Sequence, residues 1–135
     1  ANGVPNFRIG MVDVRDVAAA HIKAGFTPEA SGRYILSAHN SGFPEMAAAL
    51  RAHFGDQFRI SDKQMPKFIV WLFGPMINSA LTRKRVSESV GIDFHADNSK
   101  SVPELGVAYR PMADSVVELF QQLIDAGRLV PSKAA

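Results

Sequence analysis

The chain has 135 residues, of which 47% are apolar and 21% charged, a composition typical of a single globular domain. It contains no cysteine, which excludes disulfide frameworks, thiolate zinc sites and cysteine nucleophiles. The formal net charge of +2 comes from Lys and Arg residues that are scattered rather than gathered in a stripe, so we expect no nucleic-acid partner.

The first third of the sequence predicts a strand, a helix and a second strand. Residues 7–12 form a short apolar run after turn-forming residues, and Asp13 stands where a helix cap is needed. Asp16 occupies the capping-box position three residues later, and apolar residues recur at helical spacing until Gly25, where we expect the helix to end. Residues 32–37 are the second strand candidate.

The middle of the chain is dominated by helix signals. A helix is predicted over residues 43–53, with Pro44 in its first turn and Gly55 just past its end. Pro66 then opens the apolar segment 67–80, in which Gly74-Pro75 is expected to separate two short helices because proline removes a backbone hydrogen bond. The longest apolar run, 68–73 with its continuation to 77, is shorter than the ~20 residues that cross a bilayer. No signal peptide opens the sequence, so we expect a cytoplasmic chain with no membrane partner.

The last third contains a basic stretch at 82–85, a strand-like piece at 93–96 and a helical turn at 100–105 that ends at Gly106. The final helix begins at Pro111 and stops at Gly127, with one apolar face formed by Met112, Val116, Leu119, Phe120 and Leu123. The sequence therefore predicts an α+β fold that is mostly helical with three short strands, in one unit spanning residues 1–135.

Sequence motifs for redox or nucleotide chemistry are absent. Dinucleotide and P-loop sites need closely spaced glycines, yet no two of the ten glycines are closer than seven positions. A short-chain reductase needs a Tyr followed four positions later by a Lys, but Tyr34 is followed there by Ala38 and Tyr109 by Ala113. We therefore expect this chain to hold no catalytic residue and to bind no dinucleotide by itself.

Other polar residues have ordinary structural explanations. The four histidines are far apart in sequence and form no metal motif, so we expect no metal. His21 is expected to be packed with one hydrogen bond, and Asp13 and Asp16 to serve helix capping rather than paired-carboxylate catalysis. The basic residues 83–85 are expected to be solvated surface, and no Gly-x-Ser-x-Gly motif supports a hydrolase.

An ordered set of motifs carries a family resemblance. The blocks are VDVRDVAAAHI (12–22), ASGRYILS (30–37), DNSKS (97–101), ELGV (104–107) and YRP (109–111). Together they resemble the C-terminal third of extended short-chain dehydrogenases/reductases, most closely the dihydroflavonol reductase and aldehyde/ketone reductase group. The resemblance covers residues 7–131 and implies the substrate-side part of a Rossmann-type α/β enzyme.

The resemblance also implies a role for individual residues. Gly10 and Met11 would lie near the substrate, and the apolar segment around 65–77 would form a variable substrate lid, giving Met65, Phe68 and Trp71 as further pocket candidates. Residues 33–37 would complete the edge of the nucleotide-binding sheet, and residues 97–111 would pack the C-terminal helices together.

The residues that precede this region in the family are not in the chain. They are the glycine-rich nucleotide loop, the catalytic Tyr and Lys and their Ser/Thr partner. A truncated parent is favoured over a natural short protein, because a strand at 33–37 would otherwise have no parallel neighbour. The resemblance then implies a parent that reduces a small aldehyde, ketone or dihydroflavonol-like carbonyl compound with NAD(P)H, its N-terminal Rossmann half being the partner of this chain.

Two alternatives stay open from sequence. One is a fragment of an NAD-dependent nucleotide-sugar epimerase or dehydratase, whose diphosphate substrate would need basic ligands such as Arg83 and Arg85. The other is a stand-alone module that dimerises or binds a partner through the apolar segment 68–77, which is too hydrophobic to lie comfortably in water.

Overall fold

The computed structural model describes residues 3–61 and 63–131, and this part of the chain is mostly helical with short strands, as predicted. The strands are β1 (Val4–Pro5), β2 (Arg8–Met11), β3 (His39–Gly42) and β4 (Gln64–Met65). The helices are α1 (Val14–Phe26), α2 (Phe43–Phe54), α3 (Lys67–Ile77), α4 (Arg83–Ser89), α5 (Ser101–Leu105) and α6 (Met112–Asp125), with a 3₁₀ turn at Gly55–Gln57. No helix in the described ranges is long and apolar enough to span a membrane.

The strands form two small ribbons. β2 pairs antiparallel with β3, placing Arg8 opposite Gly42 and Gly10 opposite Asn40. β1 pairs in parallel with β4 through two residues on each strand. The predicted strand at 7–12 is confirmed, whereas the predicted strand at 32–37 is wrong.

Residues 33–37 belong to no strand and have no neighbouring strand in the described part of the chain, so no ladder forms there. Pairing with β2 begins only where the Ala38 amide donates to the Met11 carbonyl at 2.7 Å. The side chains of Tyr34 and Leu36 instead pack against the small core formed by Ala20, Leu105 and Val107. The residues at 32–37 favour a strand, but β2 pairs with the later residues of β3 instead.

Helix α1 begins as predicted and ends later than predicted. The Asp13 carboxylate accepts a hydrogen bond from the Arg15 amide, which confirms the cap. The helix runs through Gly25 to Phe26, because a glycine inside a helix costs only about 1 kcal/mol. His21 makes the expected single hydrogen bond, to the Val17 carbonyl at 2.8 Å, but it is exposed rather than packed.

Helix α3 is continuous, so the prediction of two short helices is wrong. Pro75 lies in the last turn, where the ring removes only one backbone bond and little helix follows to be disrupted. Gly74 is buried against Leu81, and its carbonyl accepts from the Asn78 amide at 2.9 Å, closing the helix end. Helix α4 follows, capped by the Thr82 hydroxyl, although the sequence suggested only a basic stretch.

The remaining predictions differ in outcome. Helices α2, α5 and α6 are confirmed, with Pro44 in the first turn of α2 and left-handed glycines after α5 and α6. The predicted strand at 93–96 is wrong, because the backbone of Ala96 hydrogen-bonds to the side chain of Asn40 rather than to another strand. Besides the core under α1, a second cluster joins Val70, Val86 and Val90. Three aromatic rings, of Phe54, Phe58 and Phe120, connect α2 to α6 with centroids 5.0–5.7 Å apart.

Candidate substrate-side site

The five pocket candidates lie in two places. Gly10 and Met11 are in β2, Met65 is in β4, and Phe68 and Trp71 are in α3. Met65 and Trp71 contact the same core cluster, whereas Met11 lines a groove on the other side of β2. The described residues therefore do not bring all five around one cavity, and their shared role stays a prediction.

Close packing explains the glycine at position 10. A Cβ atom at Gly10 would lie 2.6 Å from Ser37 Oγ, closer than real contacts allow, and 3.1 Å from a ring carbon of Phe94, a tight contact. Ser37 Oγ is buried and has no hydrogen-bond partner within the described residues. Any larger residue at position 10 would push Ser37 or Phe94 aside. Sequence reasoning placed Ser37 and Phe94 in two separate predicted strands and missed their contact with Gly10, because the three residues are far apart in the chain.

A side-chain clamp holds the segment behind Gly10. Asn40 Oδ1 accepts from the Ala96 amide at 3.0 Å, and its Nδ2 donates to the Ala96 carbonyl at 3.3 Å. The amide of Asn98 donates from Nδ2 to the Ser37 carbonyl at 2.8 Å. These bonds replace the missing strand at 93–96 and fix the surroundings of Gly10.

A groove of about 560 Å³ opens between the start of α1, helix α2 and helix α6. Most of its wall is apolar, formed by residues that include Met11, Met46, Leu50, Leu119 and Leu123. Met11 is thus the one pocket candidate of the five that lines this groove. Leu119 and Leu123, predicted for the apolar face of α6, are partly exposed because they face the open groove.

One rim of the groove is an ionic network around Asp13. Its carboxylate accepts hydrogen bonds from the Arg15 guanidinium at 2.7–2.8 Å and from the Ser115 hydroxyl at 2.7 Å. Arg15 also pairs with Glu118 at 2.7 Å. The Arg15 and Ser115 hydrogen bonds hold the pKa of the Asp13 carboxyl far below its ordinary value. Asp13 therefore stays charged near neutral pH and links α1 to α6 through Arg15 and Ser115, rather than acting as a base.

Asp16 makes a second tie rather than a capping box. Its carboxylate accepts from the Arg110 amide at 2.8 Å and is also bonded by the Arg110 guanidinium. The capping-box prediction for Asp16 is therefore wrong, because a partner 94 residues away satisfies this buried carboxylate. Asp13 caps α1, as expected, and both carboxylates hydrogen-bond to residues far away in the chain.

The second region surrounds Trp71. The guanidinium of Arg83 lies 4.9 Å from the centre of the Trp71 ring, a cation–π arrangement. Arg83 is thus engaged with an aromatic ring, whereas Lys84 beside it is solvated as predicted, with its side chain 83% exposed. Phe68 lies on the outside of α3 and is 68% exposed.

Neither tyrosine is arranged as a reductase acid. The Tyr34 hydroxyl donates to the Glu104 carboxylate at 2.8 Å, and Lys100 Nζ lies over the ring face, 4.4 Å from its centre. Partial burial and the adjacent carboxylate raise the pKa of Tyr34, which is opposite to the effect of a catalytic lysine. Tyr109 shares a hydrogen bond with the Ser101 hydroxyl at 2.9 Å.

Two of the strand-to-helix turns, those before α1 and α2, do not fit a dinucleotide. The start of α1 is filled by the Asp13 carboxylate, and at the start of α2 the Gly42 amide donates to Glu45 Oε2 at 3.1 Å. A pyrophosphate needs free amides at such a turn, and these carboxylates would repel it. Within residues 3–61 and 63–131, no three His, Asp or Glu side chains lie close enough to hold a metal ion.

Comparison with known proteins supports the resemblance to extended reductases. No family model matches the chain. Cinnamoyl-CoA reductase 1 of Petunia hybrida is 32% identical over 118 residues, which is 87% of this chain and 29% of that protein. Cinnamoyl-CoA reductase 2 of Arabidopsis thaliana is 26% identical over the same shares of each chain. Tetraketide alpha-pyrone reductase 2 of Arabidopsis thaliana is 41% identical over 51 residues, 38% of this chain and 16% of that protein.

The chain spans about 29% of the length of the cinnamoyl-CoA reductases that it matches. The matches also agree with the group indicated by the sequence blocks at 12–22, 30–37 and 97–111. The chain is therefore a partial homologue of the cinnamoyl-CoA reductases and tetraketide alpha-pyrone reductases, in the dihydroflavonol-reductase-like group of extended short-chain dehydrogenases/reductases.

Proposed function

We propose that residues 1–135 are the C-terminal substrate-side portion of an NAD(P)H-dependent carbonyl reductase and are not active alone. The observation that carries the proposal is the match over 87% of the chain to two proteins named cinnamoyl-CoA reductase. Two relatives are named cinnamoyl-CoA reductases, so we add a CoA thioester to the aldehydes, ketones and dihydroflavonols as a candidate substrate.

In this proposal the chain shapes the pocket and takes no part in proton transfer. Gly10 and Met11 form one wall, in which the missing side chain of Gly10 lets Ser37 and Phe94 pack closely against β2. Met65, Phe68 and Trp71 form an apolar wall that excludes water from the reacting carbonyl. NAD(P)H supplies the hydride when bound by the parent protein, and it is held by residues outside this chain.

Exposed apolar side chains on α1 support an N-terminal Rossmann half as the partner. Val14, Ile22 and Phe26 are 77%, 63% and 84% exposed and recur at four- and eight-residue spacing along one side of the helix. No strand in the described part of the chain pairs with residues 33–37, and the side chain of Ile35 is exposed. A sheet from the parent would cover the stripe and hydrogen bond to this segment.

The test is an activity assay on the longer protein. A reading frame that includes the residues upstream of Ala1 is expressed, and NADPH consumption is followed with hydroxycinnamoyl-CoA, aromatic aldehydes and a dihydroflavonol. We expect carbonyl-dependent oxidation by the longer protein and none by residues 1–135 alone. In the longer protein, Gly10→Val is expected to lower kcat/KM at least ~tenfold because its side chain would displace Ser37 or Phe94 and shift the pocket wall, whereas the exposed control Glu29→Ala leaves it unchanged. A longer protein without such oxidation would overturn the proposal.

A further inference from the structure

Helix α3 exposes a continuous apolar face that the core does not use. Val70 and Gly74, one turn apart, are buried against the rest of the fold. The opposite side, here termed the outer face of α3, consists of Phe68, Ile69, Leu72, Phe73 and Met76. Four of these side chains are 41–83% exposed. Such a patch on an 11-residue helix indicates a binding surface.

The surroundings of this face are cationic. From 63 to 88 the chain carries five basic residues, Lys63, Lys67, Arg83, Lys84 and Arg85, and one acidic residue, Glu88, which lies 4.0 Å from Lys84. Helix α4, which holds the last three, packs directly on α3 through Val86 and Val70. Trp71 lies between the two helices beneath the Arg83 guanidinium, 4.9 Å from it. The outer face is thus an apolar surface with positive charges at its side.

We propose that the outer face of α3 and the basic residues of α4 bind the surface of an anionic phospholipid bilayer, with α3 lying in the plane of the interface. Aromatic and aliphatic side chains on one face, a tryptophan at the edge and flanking Lys and Arg residues are the features that hold a helix at such an interface. The expectation of no membrane partner rested on the lack of a spanning helix. A helix that lies on a bilayer needs only one apolar face.

Charge distinguishes this partner from a second copy of the chain. A face-to-face dimer through α3 would bring together two segments that each carry five basic residues and one acidic one, and the repulsion between their net positive charges opposes association. An anionic lipid surface neutralises the same charges while it buries the same apolar side chains. At an anionic bilayer, electrostatic attraction and apolar burial both favour binding. In a dimer, apolar burial favours association and electrostatic repulsion opposes it.

Vesicle binding by the whole chain tests the proposal. We expect residues 1–135 to co-sediment with vesicles of equal phosphatidylglycerol and phosphatidylcholine, and at least ~tenfold more weakly with phosphatidylcholine alone. Trp71 is the single tryptophan, so quenching of its fluorescence by brominated lipid reports on α3 directly. Raising NaCl from about 0.1 M, where the Debye length is about 10 Å, to about 0.5 M is expected to weaken binding.

Matched variants separate this face from other exposed surfaces. Phe73→Ser with Met76→Ser is expected to weaken vesicle binding at least ~tenfold, since each removes apolar area from the interface. Lys84→Glu with Arg85→Glu is expected to do the same through charge. The control Ile22→Ser with Phe26→Ser removes two side chains of α1 that are at least as exposed as Phe73 and Met76, and it leaves vesicle binding unchanged. Circular dichroism establishes that each variant is folded.

Several results would overturn the proposal. These are equal binding to neutral and anionic vesicles, undiminished binding by the α3 variants, or a dimer in light scattering that Phe73→Ser with Met76→Ser dissociates. Vesicle binding lost in the longer protein would show instead that the parent covers this face. None of these measurements involves carbonyl reduction, so their failure is distinguishable from failure of the activity assay. The two proposals share Phe68, and vesicle binding through this face would remove Phe68 from the proposed pocket wall.

Discussion

Replacement of Asp13 tests the tie between α1 and α6. Asp13 is buried, caps α1 through the Arg15 amide and accepts further bonds from the Arg15 guanidinium and from Ser115. Loss of the cap costs about 1 kcal/mol. Loss of the charge-assisted bonds costs about 1.5–3 kcal/mol, toward the lower end because the Arg15 side chain is 46% exposed. We therefore expect Asp13→Ala to lower the free energy of unfolding by about 2–3 kcal/mol.

Asparagine at the same position separates the cap from the charge. Asp13→Asn keeps an oxygen for the Arg15 amide but loses the charge, so we expect a loss of about 1–2 kcal/mol at pH 7. The pKa of Asp13 is lowered in the folded chain, so its charge stabilises the fold above the unfolded-state pKa of about 4. The difference between wild type and Asp13→Asn should stay constant from pH 7 to about 5 and shrink as the pH falls below about 4.

Urea unfolding followed by circular dichroism measures both quantities. The matched control is Asp114→Ala, an exposed aspartate in the first turn of α6, for which we expect a loss below about 1 kcal/mol. The reasoning fails if Asp13→Ala costs no more than this control. It also fails if the gap between wild type and Asp13→Asn is the same at pH 3 as at pH 7.

Three further expectations concern packing and titration. Gly10→Ala should destabilise the fold by about 1–3 kcal/mol because its Cβ would overlap Ser37 Oγ. Ser37→Ala should be neutral or stabilising by up to about 1 kcal/mol because it removes a buried hydroxyl that has no hydrogen-bond partner within the described residues. Thermal melts in which Ser37→Ala is the less stable variant would contradict this. Asn40→Ala should speed hydrogen exchange at the Ala96 amide at least ~tenfold, and unchanged exchange would refute the clamp. Tyr34 should ionise above its ordinary pKa of 10.0, so the tyrosinate absorbance that Tyr34→Phe removes from an ultraviolet titration should develop above pH 10.0, and a loss below that pH would contradict this.

Sequence patterns located most helices because their signals are local. Asp13 before α1, Pro44 in the first turn of α2 and Gly106 after α5 each act through backbone geometry within a few residues. The apolar periodicity of α6 needs no knowledge of its partner. The ordered motif blocks also indicated the reductase group to which the relatives belong.

Predictions failed where a distant residue decided the outcome. Asp16 stands at a capping-box position, yet Arg110 takes its carboxylate. Residues 93–96 have strand character, but Asn40 from β3 bonds to Ala96 in place of a strand. Gly74-Pro75 was predicted to break the helix, but it lies in the last turn of α3, where little helix follows to be disrupted.

The sequence alone determined the absence of a glycine-rich loop and of a Tyr–Lys pair at catalytic spacing, because both depend on residues close together in the chain. The tertiary structure decided that residues 33–37 stay unpaired, that Ser37 and Phe94 close around Gly10, and that Lys100 meets the ring of Tyr34 rather than its hydroxyl. Each of these contacts joins segments tens of residues apart, and side-chain packing across such separations has no period that a sequence pattern can report.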